Sequence, residues 1–125
     1  MRRAHEDLAL ARRIFAIEAA SVAARQAYLA AFHAAQGLIF ERTGRGTKTH
    51  RGVHGEFARL AGSDPRLGGA LGRFLRRAYR LKDIADYRTD ATVSMAEAEA
   101  AIAEAERFLA AVESVLAERA GGGAP

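Results

Sequence analysis

The chain has no cysteine, no tryptophan and only 2 prolines, and aromatic residues make up 7% of its 125 positions. Zero cysteines exclude a disulfide framework, thiolate metal ligands and cysteine nucleophiles together, and they fit a reducing compartment. No apolar run approaches the roughly 18 residues that a membrane span needs. The opening Met1–Asp7 stretch is soon followed by Arg12 and Arg13, so it lacks the unbroken apolar run of a secretory leader. These absences predict a soluble, cytoplasmic protein with no membrane attachment. Strand signals are missing as well: the one β-branched cluster, Thr89 to Val93, is too short and polar to seed a sheet.

Half of the residues are hydrophobic, and much of that half is alanine, which favours helices but buries little area per side chain. A chain this short forms one domain, over residues 1–119, with a glycine-rich tail at 120–125 expected to be disordered. So thin a core is a reason to dimerise. The periodicity predicts an all-α fold, an antiparallel four- to five-helix bundle. The first helix covers about residues 3–19, with Leu10, Ile14 and Ile17 on its apolar stripe. The second runs from near Ser21 to Arg42 and is apolar nearly all round, which makes it the central element.

Gly44 and Gly46 then end that helix in a turn, and a short third helix follows over 50–60. After a break at 62–65, with Pro65 suited to a first helical turn, the fourth helix carries Leu67, Leu71, Phe74, Ala78, Leu81 and Ala85 as its core stripe. The fifth opens on Ser94 and Glu97, an S-x-x-E capping box, with Val93 placed to pack on Ala98. Its stripe is Ala98, Ile102, Ala105, Leu109, Val112 and Leu116.

The net charge of +4 hides an asymmetry. Residues 1–90 hold 17 Lys/Arg against 9 Asp/Glu, a net +8, whereas residues 91–125 hold 2 against 6, a net −4. All the basic residues but Lys48 and Lys82 are arginine, whose planar fork suits phosphate. On the fourth helix Arg73, Arg76, Arg77 and Arg80 fall opposite the apolar stripe. That basic face is either solvated and partnered by acids, notably on the acidic fifth helix, or it binds phosphate. A further flank holds Leu75, Tyr79, Lys82 and Asp86, a mixture suited to a dimer seam or to a polar site beside one. Tyr87 and Arg88 follow at the helix end.

Other constellations carry less. Gly44–Thr49 has the ingredients of a phosphate cradle, but not the GxxxxGK[ST] order and no preceding strand. His50 and His54 share a helical face, yet no third ligand completes a metal shell, so His50 is expected to cap or pack its helix and no metal or cofactor is expected. His33, inside the central helix, reads as a hydrogen-bonded core residue.

Three stretches, in this order, then carry a resemblance. They are Tyr28-Leu-Ala-Ala-Phe-His-Ala-Ala35, Lys48-Thr-His-Arg-Gly-Val53 and Leu81-Lys-Asp-Ile-Ala-Asp-Tyr87. They are similar to the Tyr-Tyr-Ala-x-Phe-His-Ala-Ala, Lys-Thr-His-x-Gly-Val and Leu-Arg-x-x-Ala-Asp-Tyr signatures of short stand-alone bacterial members of the HEPN family, over about residues 4–116.

The resemblance implies a dimeric helical bundle with RNA or a nucleotide as ligand. Many such proteins are metal-independent endoribonucleases with an Arg-x(4–6)-His motif, and others pair with a small nucleotidyltransferase in toxin–antitoxin modules. Here the motif arginine falls on Lys82, and Asp86 stands where nuclease members place histidine. The arginine that usually precedes Ala-Tyr-Tyr falls on Gln26, with Arg25 one position early. The expected ligand-binding residues are Arg76, Tyr79, Arg80, Lys82, Asp83 and Tyr87, with Lys82 and Asp86 as the catalytic candidates of a weakly active or inactive site. An active endoribonuclease that uses His33, His50 or His54 as base, or a structural partner that docks an acidic protein, are the alternatives.

Overall fold

Seven buried alanines on one 24-residue helix explain the architecture, because side chains this small let neighbouring helices approach closely. The computed structural model describes residues 1–87 and 92–122, with side chains described as far as residue 118. It comprises α1 (Arg2–Ala16), α2 (Ala20–Thr43), α3 (His50–Ser63), α4 (Gly68–Tyr87) and α5 (Met95–Gly122). No strand occurs among the described residues. α2 packs against all four other helices, and its Ala23, Ala24, Ala27, Ala30, Ala31, Ala34 and Ala35 are fully buried with Tyr28, Leu38 and Ile39. The all-α bundle and its central helix are as expected, although Val22 and Phe40 at the ends of α2 are exposed.

The first helix departs from expectation. Its buried face is Ala4, Leu8 and Ala11, while Leu10 and Ile17 are exposed and Ile14 packs only partly. α1 packs on α2, whose buried face is rich in alanine, so close approach favours the smaller face of α1 over the bulkier one. Ile17 also lies beyond the helix as its C-cap, just before Glu18 turns the chain with a positive φ of 64°.

The α2–α3 connection is the helix-ending turn that its glycines predict. Gly44 takes the left-handed conformation that ends α2, with φ 71°, and its N–H donates to the Phe40 carbonyl at 2.8 Å. Thr49, not His50, caps α3: its hydroxyl accepts from the Gly52 N–H at 3.0 Å. A Cβ on Gly52 would stand 2.7 Å from that hydroxyl, so this position must be glycine for the cap to form. Gln36 ties the loop to α2 by donating to the Thr47 carbonyl at 2.8 Å. Cap, glycine and tether together fix where His50 begins its helix.

Pro65 does not enter α4 as expected. Asp64 accepts from the Arg66 N–H at 3.0 Å and from its guanidinium at 2.8 Å, which closes a local turn over Pro65, and Gly68 restarts the helix from a positive φ of 62°. The Arg66 fork holds the Asp64 carboxyl down to about 2. At the start of α5 both bonds of the capping box form, Glu97 N–H to Ser94 Oγ and Ser94 N–H to Glu97 Oε1, each at 3.0 Å. Val93 and Ala98 are both buried there. Arg88 and most of the Thr89–Val93 cluster lie outside the described residues. α5 continues through Gly122, into the segment expected as a tail, and residues 123–125 again lie outside.

The acidic fifth helix pairs with side chains of α1, α4 and the turn before α4. Glu104 pairs with Arg77 of α4 at 2.6 Å, Glu106 with Arg12, Glu113 with His5 at 3.0 Å, and Glu118 with Arg66. Of the basic face on α4, only Arg77 is claimed in this way. Arg73, Arg76 and Arg80 are exposed and make no ion pair with any described residue.

Candidate functional site

α2, α3 and α4 meet around Tyr28. Its side chain is fully buried, and its hydroxyl lies 2.7 Å from His50 Nδ1 and 3.0 Å from His54 Nε2. A phenol has a single proton to give, so it donates to one imidazole and accepts N–H from the other; because it meets Nδ1 of one ring and Nε2 of the other, both rings then hold the same tautomer. The spacing of four residues makes this possible by stacking both rings on one face of α3. Tyr79 of α4 closes the cluster, its ring centroid 5.1 Å from His50, 5.4 Å from His54 and 5.5 Å from Tyr28, while Phe32 packs 4.5 Å from His50 on the other side.

This environment sets the protonation states. Burial lowers the His50 pKa below 6.5 and nearby Lys82 lowers it further; burial, His50 and Arg76 lower that of His54. Both imidazoles are therefore neutral at pH 7. Burial, reinforced by Tyr79, pushes the Tyr28 phenol well above its usual value, so it keeps its proton.

An ion network adjoins the rings. Lys82 Nζ lies 2.8 Å from one oxygen of Asp86, and Arg25 Nε of α2 donates to the other at 3.0 Å. The hydrogen bond between Lys82 and Asp86 raises the pKa of the first and lowers that of the second, which keeps both charged. Lys82 Nζ also stands 5.8 Å from the Tyr79 ring centroid and 5.5 Å from that of Tyr87, whose side chain is exposed. Beside the network, His54, Arg76, Tyr79 and Arg80 line an open groove of about 460 Å³.

The structure thus gathers most of the expected residues. Arg76, Tyr79 and Arg80 share the groove, and Lys82, Asp86 and Tyr87 lie next to it. Asp83 is half-buried and forms no ion pair with a described residue. The flank read as Leu75, Tyr79, Lys82 and Asp86 is not one outward surface: Leu75 is in the core, and the Lys82 side chain is only 11% exposed because it folds against the chain's own rings and Asp86. His33 turns away from the site to bond Asp7 of α1.

Four members of the site lay outside the expected set: Tyr28, Arg25, and the pair His50 and His54, which the sequence offered only as bases of the alternative, nuclease reading. The pairing of His50 with His54 at helical spacing was the available signal for two of them, since a buried polar partner is needed wherever two imidazoles face a core. Among the described residues no group of three or more His, Cys, Asp or Glu is placed to share a metal, and no helix is long and apolar enough to cross a membrane.

The three stretches quoted from the sequence meet here in space. Tyr28 and Phe32 come from the first, His50 from the second, and Lys82, Asp86 and Tyr87 from the third. A family model described as HEPN domain matches residues 1–115. No curated protein matches the chain.

Proposed function

The chain belongs to the HEPN domain family, and from that premise we propose that it binds RNA or a nucleotide in the groove of α3 and α4. It acts as a homodimer in a toxin–antitoxin or related module with a small nucleotidyltransferase, and has weak catalysis or none. The observation that carries this reading is the company of Tyr79 in the groove. An aromatic ring, the chemistry that stacks on a base, lines the groove with Arg76 and Arg80, two guanidiniums that make no ion pair with a described residue. A nucleotide presents the matching pair of groups, an apolar ring and a bidentate anion.

Single-stranded RNA titrated across a salt series tests it. Binding at low salt that weakens as salt rises is the expected result, because phosphate contacts release counter-ions. Absence of binding at low salt, or binding indifferent to salt, rejects the arginine groove.

A second reading, metal-independent RNA cleavage, is favoured by one observation: a neutral imidazole, His54, lines the groove beside Arg76. Such a group can take the 2′-hydroxyl proton while the 2′ oxygen attacks phosphorus, and a guanidinium can stabilise the charge on the phosphorane. Lys82 is poorly placed for that charge because Asp86 already neutralises it. The reading predicts cleavage in excess chelator that His54→Ala abolishes and Lys82→Ala largely spares.

A further inference from the structure

Two cations from different helices converge on one carboxylate at the edge of the groove. Arg25 of α2 reaches Asp86 Oδ1 at 3.0 Å through Nε alone, and its terminal guanidinium nitrogens bond no described residue. Lys82 of α4 reaches Oδ2 at 2.8 Å. One oxygen for each cation is also the arrangement in which two oxygens of a phosphate would be held. Arg25 is 38% exposed and Asp86 21%, so an anion can approach from solvent.

Asp86 is held there against local preference. It lies in the last turn of α4, one residue before the end at Tyr87, where the helix dipole disfavours an anion. Its pairing with Lys82 runs in the order Lys then Asp at i,i+4, the weaker of the two orders on a helix. No basic residue sits in that last turn to compensate. Among the described residues Arg25 and Lys82 are the ion partners of the carboxylate, and those two cations would be satisfied equally by a phosphate.

We propose that Arg25 and Lys82 form a second phosphate site, which the chain's own Asp86 fills until a phosphate of the bound nucleic acid displaces it. This rests on the reading that the groove binds RNA. Tyr79 borders both places: it lines the groove with Arg76 and Arg80, and Lys82 Nζ lies over its ring, 5.8 Å from the centroid. Lys82 stands six residues beyond Arg76, about 9 Å further along the helix axis. A single strand stacked on Tyr79 would therefore offer one phosphate to the open arginines and another to the closed pair. The outer arginines capture the strand at once, and the inner pair engages only when Asp86 swings aside.

The test compares wild type with Asp86→Asn, which keeps the shape and removes the competing charge. With short single-stranded RNA at low salt, D86N is expected to bind about tenfold more tightly, with a steeper salt dependence from the added phosphate contact. Adding R25Q to D86N should remove that gain. A folded D86N that binds RNA no more tightly than wild type overturns the proposal and leaves the groove reading standing.

A second probe, inorganic pyrophosphate, is read by NMR on the wild-type protein and does not depend on RNA. Displacement of Asp86 moves the Arg25 Nε–H signal on titration. If D86N fails to fold, a signal that stays in place at saturating pyrophosphate overturns the proposal. Movement of that signal in a protein that binds no RNA supports the phosphate pair and rejects the groove.

Discussion

α3 and α4 each contribute to two ring clusters of opposite character. In one, Phe57 of α3 and Phe74 of α4 close on Phe108 of α5, with centroids 5.0 and 6.1 Å from it, and no polar atom takes part. In the other, His50 and His54 of α3 and Tyr79 of α4 surround Tyr28 of α2, and hydrogen bonds and ions run through the rings. His50, His54 and Phe57 lie along one stripe of α3, so a single helix face passes from polar to dry within two turns. The dry cluster gains from burial alone and has no chemistry to offer. The polar cluster has to satisfy each buried nitrogen and oxygen, which fixes its geometry and leaves reactive groups facing the groove.

Substitutions should separate the two. Phe108→Ala empties the centre of the dry cluster and should cost about 3–5 kcal/mol, the usual range for a buried phenylalanine. Urea unfolding gives that loss. The protein that remains folded should bind RNA as wild type does. Reduced RNA affinity in the folded fraction would show that the clusters are coupled through α3 and α4.

The reverse pattern is expected from R76Q/R80Q. Both side chains are exposed, so stability should stay within about 0.5 kcal/mol of wild type. RNA affinity at low salt should fall by about ten- to a hundredfold, and the salt slope should drop by about 1.4 with two phosphate contacts removed from a single strand. An unchanged slope would place the phosphate contacts on other residues.

Much of the fold was legible in the sequence, and less of the site. The capping box of α5, the glycine stop of α2 and the burial of α2 are local or periodic signals, and each of them formed. The buried face of α1 was misread because Leu10 and Ile17 outrank alanine in hydrophobicity. The helix in fact buries its small side, so that backbones can approach, and that preference appears only once the partner helix is known to be alanine-rich too. Pro65 was misplaced because the Asp64–Arg66 turn competes with a helix start, and the contest depends on how well the Asp64 carboxylate is held.

Within the site, helix geometry placed the basic face of α4 but misjudged the flank of Leu75, Tyr79, Lys82 and Asp86, and it could not say which faces of other helices these residues meet. Tyr28 lies 22 and 26 residues from its two histidine partners, and Arg25 61 residues from Asp86. No periodicity spans such distances. Only the family resemblance hinted that these stretches belong together.

Tyr28→Phe probes the polar cluster on a smaller scale. It keeps the ring and removes the hydroxyl, leaving His50 Nδ1 and His54 Nε2 without their partner at a cost of about 1–2 kcal/mol. The histidines also give the cluster a pH signature that the dry one lacks. Both have folded pKa values below the unfolded value of 6.5. Between those values the unfolded chain binds more protons than the native one, so stability rises with pH across the window. Their contribution is complete above about 6.5 and is lost as pH falls through the lowered values. Asp64 and Asp86 are depressed from 3.8 and act at more acid pH. Thermal unfolding followed from pH 7 to 5, as about the range over which histidine titrates, should show a falling midpoint in wild type and a flatter profile in His54→Gln.

The smallest effect tests the boundary between the two halves of the charge pattern. Glu104 claims Arg77 at 2.6 Å, and without that pair Arg77, like Arg73, Arg76 and Arg80, would have no ion partner among the described residues. Both side chains are partly exposed, so Glu104→Gln should change stability by less than about 1 kcal/mol. It should also release one more guanidinium beside the groove, raising RNA affinity by about two- to threefold and steepening the salt slope by less than one full phosphate contact. A gain of that kind means that the acidic helix trims the basic face of α4, with Arg77 held back from the ligand. If affinity stays the same, Arg77 is too far from the path of the strand to matter, and the phosphate-binding face narrows to the residues that border Tyr79.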